Sequence, residues 1–110
     1  MTSRIFLYGT LVPGGVNHFR LENEPGQWKV ATTRGKLVYQ GWGAEHGCPG
    51  IIPDDQADIV EGYVFSSPNM PAILAMLDEL EGEDYQRVLI QASLTPDEQV
   101  EAWVYALNSA

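Results

Sequence analysis

Residues 72–87, "AILAMLDELEGEDYQR", run from an apolar stretch straight into five carboxylates: Asp78, Glu79, Glu81, Glu83 and Asp84. The apolar part has helical spacing. At about 100° per residue, with Leu77 set at zero, Ile73 falls near −40°, Leu74 near +60° and Leu80 near −60°. These four residues define one buried stripe, so the helix packs against another layer. Upstream, Ser67 or Asn69 is placed to cap it and Pro71 suits its first turn. Downstream, Gly82 is the residue that ends a helix by adopting positive φ. The stretch "SSPNMPAILAMLDELEG" is therefore one helix, and the rest of the chain must supply the surface that it covers.

The same wheel sorts the acids. Glu79 lies at about 200°, on the far side, and Asp78 on the flank near 100°. Glu83 and Asp84 follow the glycine stop and belong to the turn. Glu81 falls at about +40°, inside the apolar stripe. Burying an unpaired carboxylate is costly, so such a group acquires a partner or a raised pKa. A carboxyl poised in that way is what general acid–base chemistry needs. The plainer alternative is that Glu81, in the last turn, reaches water or pairs with Arg87.

The surface beneath the helix reads as a sheet. "RIFLYGTL" (4–11) is a short aromatic and aliphatic run stopped at Gly9, as in a buried strand that ends in a tight turn. "VPGGVNHFRLENEPGQW" (12–28) is punctuated by Pro-Gly pairs and reads as loop with one turn of helix. "ATTRGKLVYQ" (31–40) and "DIVEGYVFSS" (58–67) carry strand-type residues. Between them "GWGAEHGCPGIIPDD" (41–55) reads as loop around a very short strand at Ile51-Ile52. "YQRVLIQASL" (85–94) and "QVEAWVYAL" (99–107) alternate with period two across "TPDE", an antiparallel pair. The expected fold is α+β: a small, mainly antiparallel curled sheet or β-barrel with one main helix packed against it. Strand order is not legible at this level.

Length and composition narrow the function classes. The chain of 110 residues is expected to form a single domain, 1–110, and its 45 % apolar content argues for a folded globule. Six basic against fifteen acidic residues give a charge of −9, which repels nucleic acid. No apolar run is long enough for a membrane helix. The opening "MTSRIFLYGTL" reads as a first strand rather than an export signal, so a cytoplasmic location is expected. Cys48 is the only cysteine and allows no internal disulfide. Paired with His46 or His18 it would be a nucleophile, but no basic cluster stabilises a thiolate there. The two histidines and scattered acids have no metal-ligand spacing.

The second candidate site is Tyr8-Gly9-Thr10-Leu11. A strand ending at glycine lets a ligand approach the main chain, and its free N–H groups can hold a carboxylate or an oxyanion. Taken alone, four such residues are an ordinary turn. Tyr8, Tyr85 and Tyr105 sit in or beside strands near these motifs, with core packing at least as good an account of Tyr85 and a better one of Tyr105. Arg87 is available for a substrate carboxylate or for a turn acid, and the structural role is favoured. Trp28, Trp42 and Trp103 carry no functional signal.

Together, Tyr8-Gly9-Thr10-Leu11, Leu77-Asp78-Glu79-Leu80-Glu81 and Tyr85-Gln86-Arg87 resemble, in order, the motifs of the γ-glutamylcyclotransferase family. That family includes γ-glutamylamine cyclotransferases and avirulence-induced-gene-like proteins. Asn17-His18, Pro49-Gly50-Ile51-Ile52 and Val60-Glu61-Gly62 agree as well. The resemblance implies a small sheet-barrel with helices outside. It also implies a lyase-type reaction, sometimes classed as acyl transfer, that cyclises a γ-glutamyl group to 5-oxoproline and expels the attached amine. It puts the catalytic acid–base on Glu81 and lines the substrate pocket with Tyr8, Gly9, Thr10 and Leu11, to which the sequence adds Tyr85. The implied ligand is a small γ-glutamyl compound, with no metal, other cofactor, nucleic acid or membrane. The loop around Cys48 matches poorly and is where substrate specificity would be set. The rival from another class is a non-catalytic binding or partner module on the same fold.

Overall fold

The structure is a computed structural model, and it describes residues 2–38, 50–95 and 97–107. Among the described residues, six strands and one α-helix follow in chain order: β1 (Arg4–Leu7), β2 (Gln27–Val38), β3 (Gly50–Pro53), β4 (Ile59–Ser66), α1 (Met70–Glu81), β5 (Tyr85–Thr95) and β6 (Glu98–Leu107). One 3₁₀ turn at His18–Arg20 is the piece of helix expected in the first loop, and a second, Gly82–Asp84, joins α1 to β5. β1 stops at Leu7, two residues earlier than the glycine suggested. Cys48, His46, Trp42 and Pro49 lie outside the described residues, and so does the Cys48–His46 pairing.

The sheet curls into a closed ring. β1 pairs antiparallel with β4, β4 with β2, and β5 with β6. Two sparse contacts complete the circle. β1 meets β6 in parallel at Ile5↔Trp103, and β2 meets β5 at Thr32↔Ser93. The second seam is reinforced by Thr33, whose buried hydroxyl donates to the Gln91 carbonyl at 2.9 Å. β3 bridges the end of β2 to Ala106 of β6.

Period-two alternation divides the core into two layers. Phe6, Ala31, Ile51, Val60, Val64, Ala92, Ala102 and Val104 fill the barrel. Their neighbours Ile5, Leu7, Phe65 and Tyr105 face outward and receive Ile73, Leu74 and Leu77 of α1. The expected stripe is therefore the packed face, with Leu77 fully buried and Leu80 partly so. Gly82 ends the helix at φ +70°, its N–H donating to the Asp78 carbonyl. Asn69 takes the N-cap position, but its side chain reaches Glu24, and the Ser67 hydroxyl accepts the Asn69 N–H instead.

Candidate active site

Strand direction gathers the motifs at one end of the barrel. β1 and β6 run parallel and finish there, β5 starts there, and α1 delivers its last turn immediately before β5. Register places Tyr85 opposite Leu107 and Arg87 opposite Tyr105. β3 joins the same end at Ile51↔Ala106.

The Tyr8 side chain turns inward over this end, stacked on Phe6 at 6.1 Å between ring centroids. Its hydroxyl donates to the Tyr105 carbonyl at 3.2 Å and accepts the Ile51 N–H at 2.9 Å. One phenol thus ties together the ends of β1, β3 and β6.

Beyond Tyr8 the chain folds back on itself. The Asn17 N–H donates to the Thr10 carbonyl at 2.9 Å, and Asn17 Nδ2 to the Thr10 hydroxyl at 3.0 Å. His18 Nδ1 lies 2.9 Å from the Leu11 carbonyl. A carbonyl only accepts, so this nitrogen carries the proton. The His18 ring also tilts against Trp28 at 5.2 Å, and Trp28 stacks on Phe65 at 4.5 Å, which seats the loop on the outside of β2 and β4. With the carbonyls of Thr10 and Leu11 turned toward residues 17 and 18, planar trans peptides direct the N–H groups of Leu11 and Val12 the opposite way. The Leu11 side chain is buried in the helix-facing core, so only its backbone is available to a ligand.

The helix end is organised by Asp78. Arg87 grips its carboxylate with Nε–Oδ1 at 3.0 Å and Nη2–Oδ2 at 3.2 Å, while the Tyr105 hydroxyl donates to Oδ1 at 2.6 Å. Partial burial works to raise the Asp78 pKa, but the bonds from Tyr105 and Arg87 and the Arg87 charge leave it lowered. The guanidinium also lies over the Trp103 ring, 4.6 Å from its centroid. Arg87 thus takes the structural role, with Asp78 rather than Glu81 or a turn acid as its partner.

Glu81 is half-buried at the last position of α1. Its charge is felt at Tyr105, whose hydroxyl is held protonated by burial, then by the bond to Asp78, and also by the Asp78 and Glu81 charges, with Arg87 opposing. Tyr105 therefore links both candidate motifs: its backbone holds Tyr8, and its phenol lies within the field of Glu81. Tyr85 is half-buried and packs against the core layer under α1. The roles of Asp78 and Tyr105 were not read from the sequence. One signal for Asp78 was available: the last turn of α1 carries acids and no base, so a cation had to come from elsewhere. Among the described residues no cluster of three or more His, Cys, Asp or Glu is placed to hold a metal ion. Among them, too, no helix is long and apolar enough to cross a membrane.

Residues 5–110 match the family model described as gamma-glutamyl cyclotransferase, AIG2-like. Curated protein sequences give no match. Among solved structures, an AIG2-like protein from Mus musculus aligns with a TM-score of 0.74 at 24 % identity, over 98 % of this chain and 78 % of its own. YkqA from Bacillus subtilis aligns with a TM-score of 0.73 at 23 % identity, over 98 % of this chain but 36 % of its own. A structure named as a gamma-glutamyl cyclotransferase has a TM-score of 0.65 at 18 % identity, covering 98 % of this chain and 68 % of its own. At these identities the structural likeness speaks for the fold.

Proposed function

The chain belongs to the gamma-glutamyl cyclotransferase, AIG2-like family, and from that membership we propose that it cyclises the γ-glutamyl group of a small γ-glutamyl amine or amino acid to 5-oxoproline, releasing the amine, with Glu81 as acid–base. The observation that carries this reading is the shared attachment of both motifs to Tyr105. The Tyr8 hydroxyl is bonded to its carbonyl, and its own hydroxyl is bonded to Asp78, three residues before Glu81 in the helix-end motif.

In the proposed reaction ionised Glu81 removes a proton from the substrate α-ammonium. The amine nitrogen then attacks the γ-carbonyl carbon, forming the ring C–N bond. Both groups belong to one molecule, so the site has only to hold the rotamer that brings them together. The N–H groups of Leu11 and Val12, turned away from the loop that holds their peptides, are the donors for the tetrahedral oxyanion. As the bond to the departing nitrogen breaks, Glu81 returns its proton to that nitrogen. The ring nitrogen sheds its second proton and the released amine takes one up as its ammonium, so no net proton is consumed. No covalent enzyme intermediate or cofactor enters this sequence.

The test is incubation with a panel of γ-glutamyl amino acids and γ-glutamyl amines while following 5-oxoproline. Turnover by the wild type is expected, with loss in Glu81→Gln and Glu81→Ala proteins that keep the native circular dichroism spectrum. Full activity in either variant overturns the role of Glu81. Binding without turnover in the wild type makes the chain a binding module on this fold.

A further inference from the structure

The last turn of α1 is electrostatically ill-suited to be rigid. It carries Asp78, Glu79 and Glu81 and no basic residue. The helix dipole places partial negative charge at the same end, so unassisted this turn would fray. A site that uses Glu81 needs the opposite, a carboxylate held in one place.

Three contacts converge on Asp78, one turn before Glu81. The Arg87 fork supplies the missing cation from β5 through two bonds, at 3.0 and 3.2 Å. The Tyr105 hydroxyl adds a third at 2.6 Å from β6. The same hydroxyl lies 3.3 Å from the Leu74 carbonyl, one turn further back on the helix. Arg87 is itself fixed against Trp103, and the Asp78 carbonyl accepts the Gly82 N–H that closes the helix. Side-chain relative exposures of 28 % for Arg87 and 44 % for Asp78 would make a simple pair worth little. A bidentate fork with an added charge-assisted bond is a different object, because its geometry is over-determined.

We propose that Asp78 is the positioning residue of this site: through Arg87 and the Tyr105 hydroxyl it clamps the last helical turn to the ends of β5 and β6 and so fixes Glu81 beside the Tyr8 loop. The clamp rests on the acid–base role given to Glu81 above, and it adds a division of labour between the two acids. Asp78 is the acid held by β5 and β6, and Glu81 is the acid assigned to the proton transfers above. Tyr105 does both halves of the alignment, taking Asp78 on its hydroxyl and Tyr8 on its carbonyl.

The test compares Asp78→Asn and Tyr105→Phe with the wild type and Glu81→Gln, at a temperature where melting curves show every protein folded. Both clamp variants are expected to lose at least about tenfold in kcat with KM changed less than about threefold, because ground-state binding is intact while the base is misplaced. Hydrogen exchange needs no substrate, and in both variants protection at Leu80–Gly82 is expected to fall ahead of the barrel strands. Where Asp78→Asn fails to fold, Tyr105→Phe decides, since it keeps the ring and the Arg87 pair. Wild-type kcat in the folded clamp variants, or a rise in KM alone, overturns the positioning role while leaving Glu81 in place. Wild-type activity in Glu81→Gln overturns the acid–base reading, and the clamp's catalytic purpose falls with it.

Discussion

The Tyr8 hydroxyl donates to the backbone carbonyl of Tyr105, 97 residues away in sequence, and in the same position accepts the N–H of Ile51. Three strand ends therefore depend on one phenolic oxygen.

Tyr8→Phe removes that oxygen and leaves a donor and an acceptor without it at the barrel end. A loss of about 1–3 kcal/mol in unfolding free energy is expected, from the penalty for unmet polar groups. Urea denaturation measures it. Turnover should fall as well, because the loop that begins at Tyr8 loses its anchor; a variant as stable and active as the wild type would show the bond to be incidental.

Gly15 lets the first loop close onto the candidate site. A Cβ at this position would overlap the Thr10 carbonyl, which is backbone and cannot swing aside. Gly15→Ala is therefore expected to displace Thr10 and Leu11, costing about 1–3 kcal/mol as overpacking does. The expected kinetic signature is a KM raised at least tenfold, with β-sheet circular dichroism unchanged. Steady-state kinetics alongside a thermal melt would read both effects.

Gly82 presents a different case, with open space around it but φ at +70°. Gly82→Ala meets no neighbour, but φ +70° with ψ −157° is a region that glycine alone occupies readily, so a cost of about 1–3 kcal/mol is expected. A drop in melting temperature of roughly 4–8 °C per kcal/mol lost follows for a domain of this size. A larger drop would mean that the helix stop tolerates no side chain at all.

Stability should fall at both pH extremes, for separable reasons. Asp78 has its pKa lowered from 3.8 in the folded protein, so the native state binds this proton less readily than the unfolded chain. Its contribution is present above pH 3.8 and is lost as the pH falls through the lower folded value. Tyr105 is raised from 10.0, so its contribution is complete below pH 10 and is lost as the pH climbs above it. Denaturation midpoints across pH should fall less steeply at the acid end in Asp78→Asn and at the alkaline end in Tyr105→Phe.

The helix was legible because its signal is local. Ile73, Leu74 and Leu77 share a face by spacing alone, and the structure buries all three. Glu81 shares that face by the same arithmetic, and its half-burial reflects its place at the last position, where the covering layer ends. The strands of "YQRVLIQASL" and "QVEAWVYAL" were legible through alternation, and their antiparallel pairing through the short connection. Ring closure was not, because Ile5↔Trp103 and Thr32↔Ser93 join segments far apart in the chain with no motif at either contact. The partner of Arg87 escaped for the same reason: several acids surround it in sequence, and only the seating of α1 selects Asp78.

The sequence by itself therefore determined the helix and its buried face, the stop at Gly82, most of the strands (β2 begins at Gln27, inside the stretch read as loop) and the one acid that shares the apolar phase of the helix, because each is set by a period of two or 3.6 residues acting over a few positions. Tertiary structure decided which strand ends meet, and with that the placing of Tyr105 between Tyr8 and Asp78. Those contacts span 97 and 27 residues, and at such separations the barrel's closure, rather than any local preference, brings side chains into bonding distance.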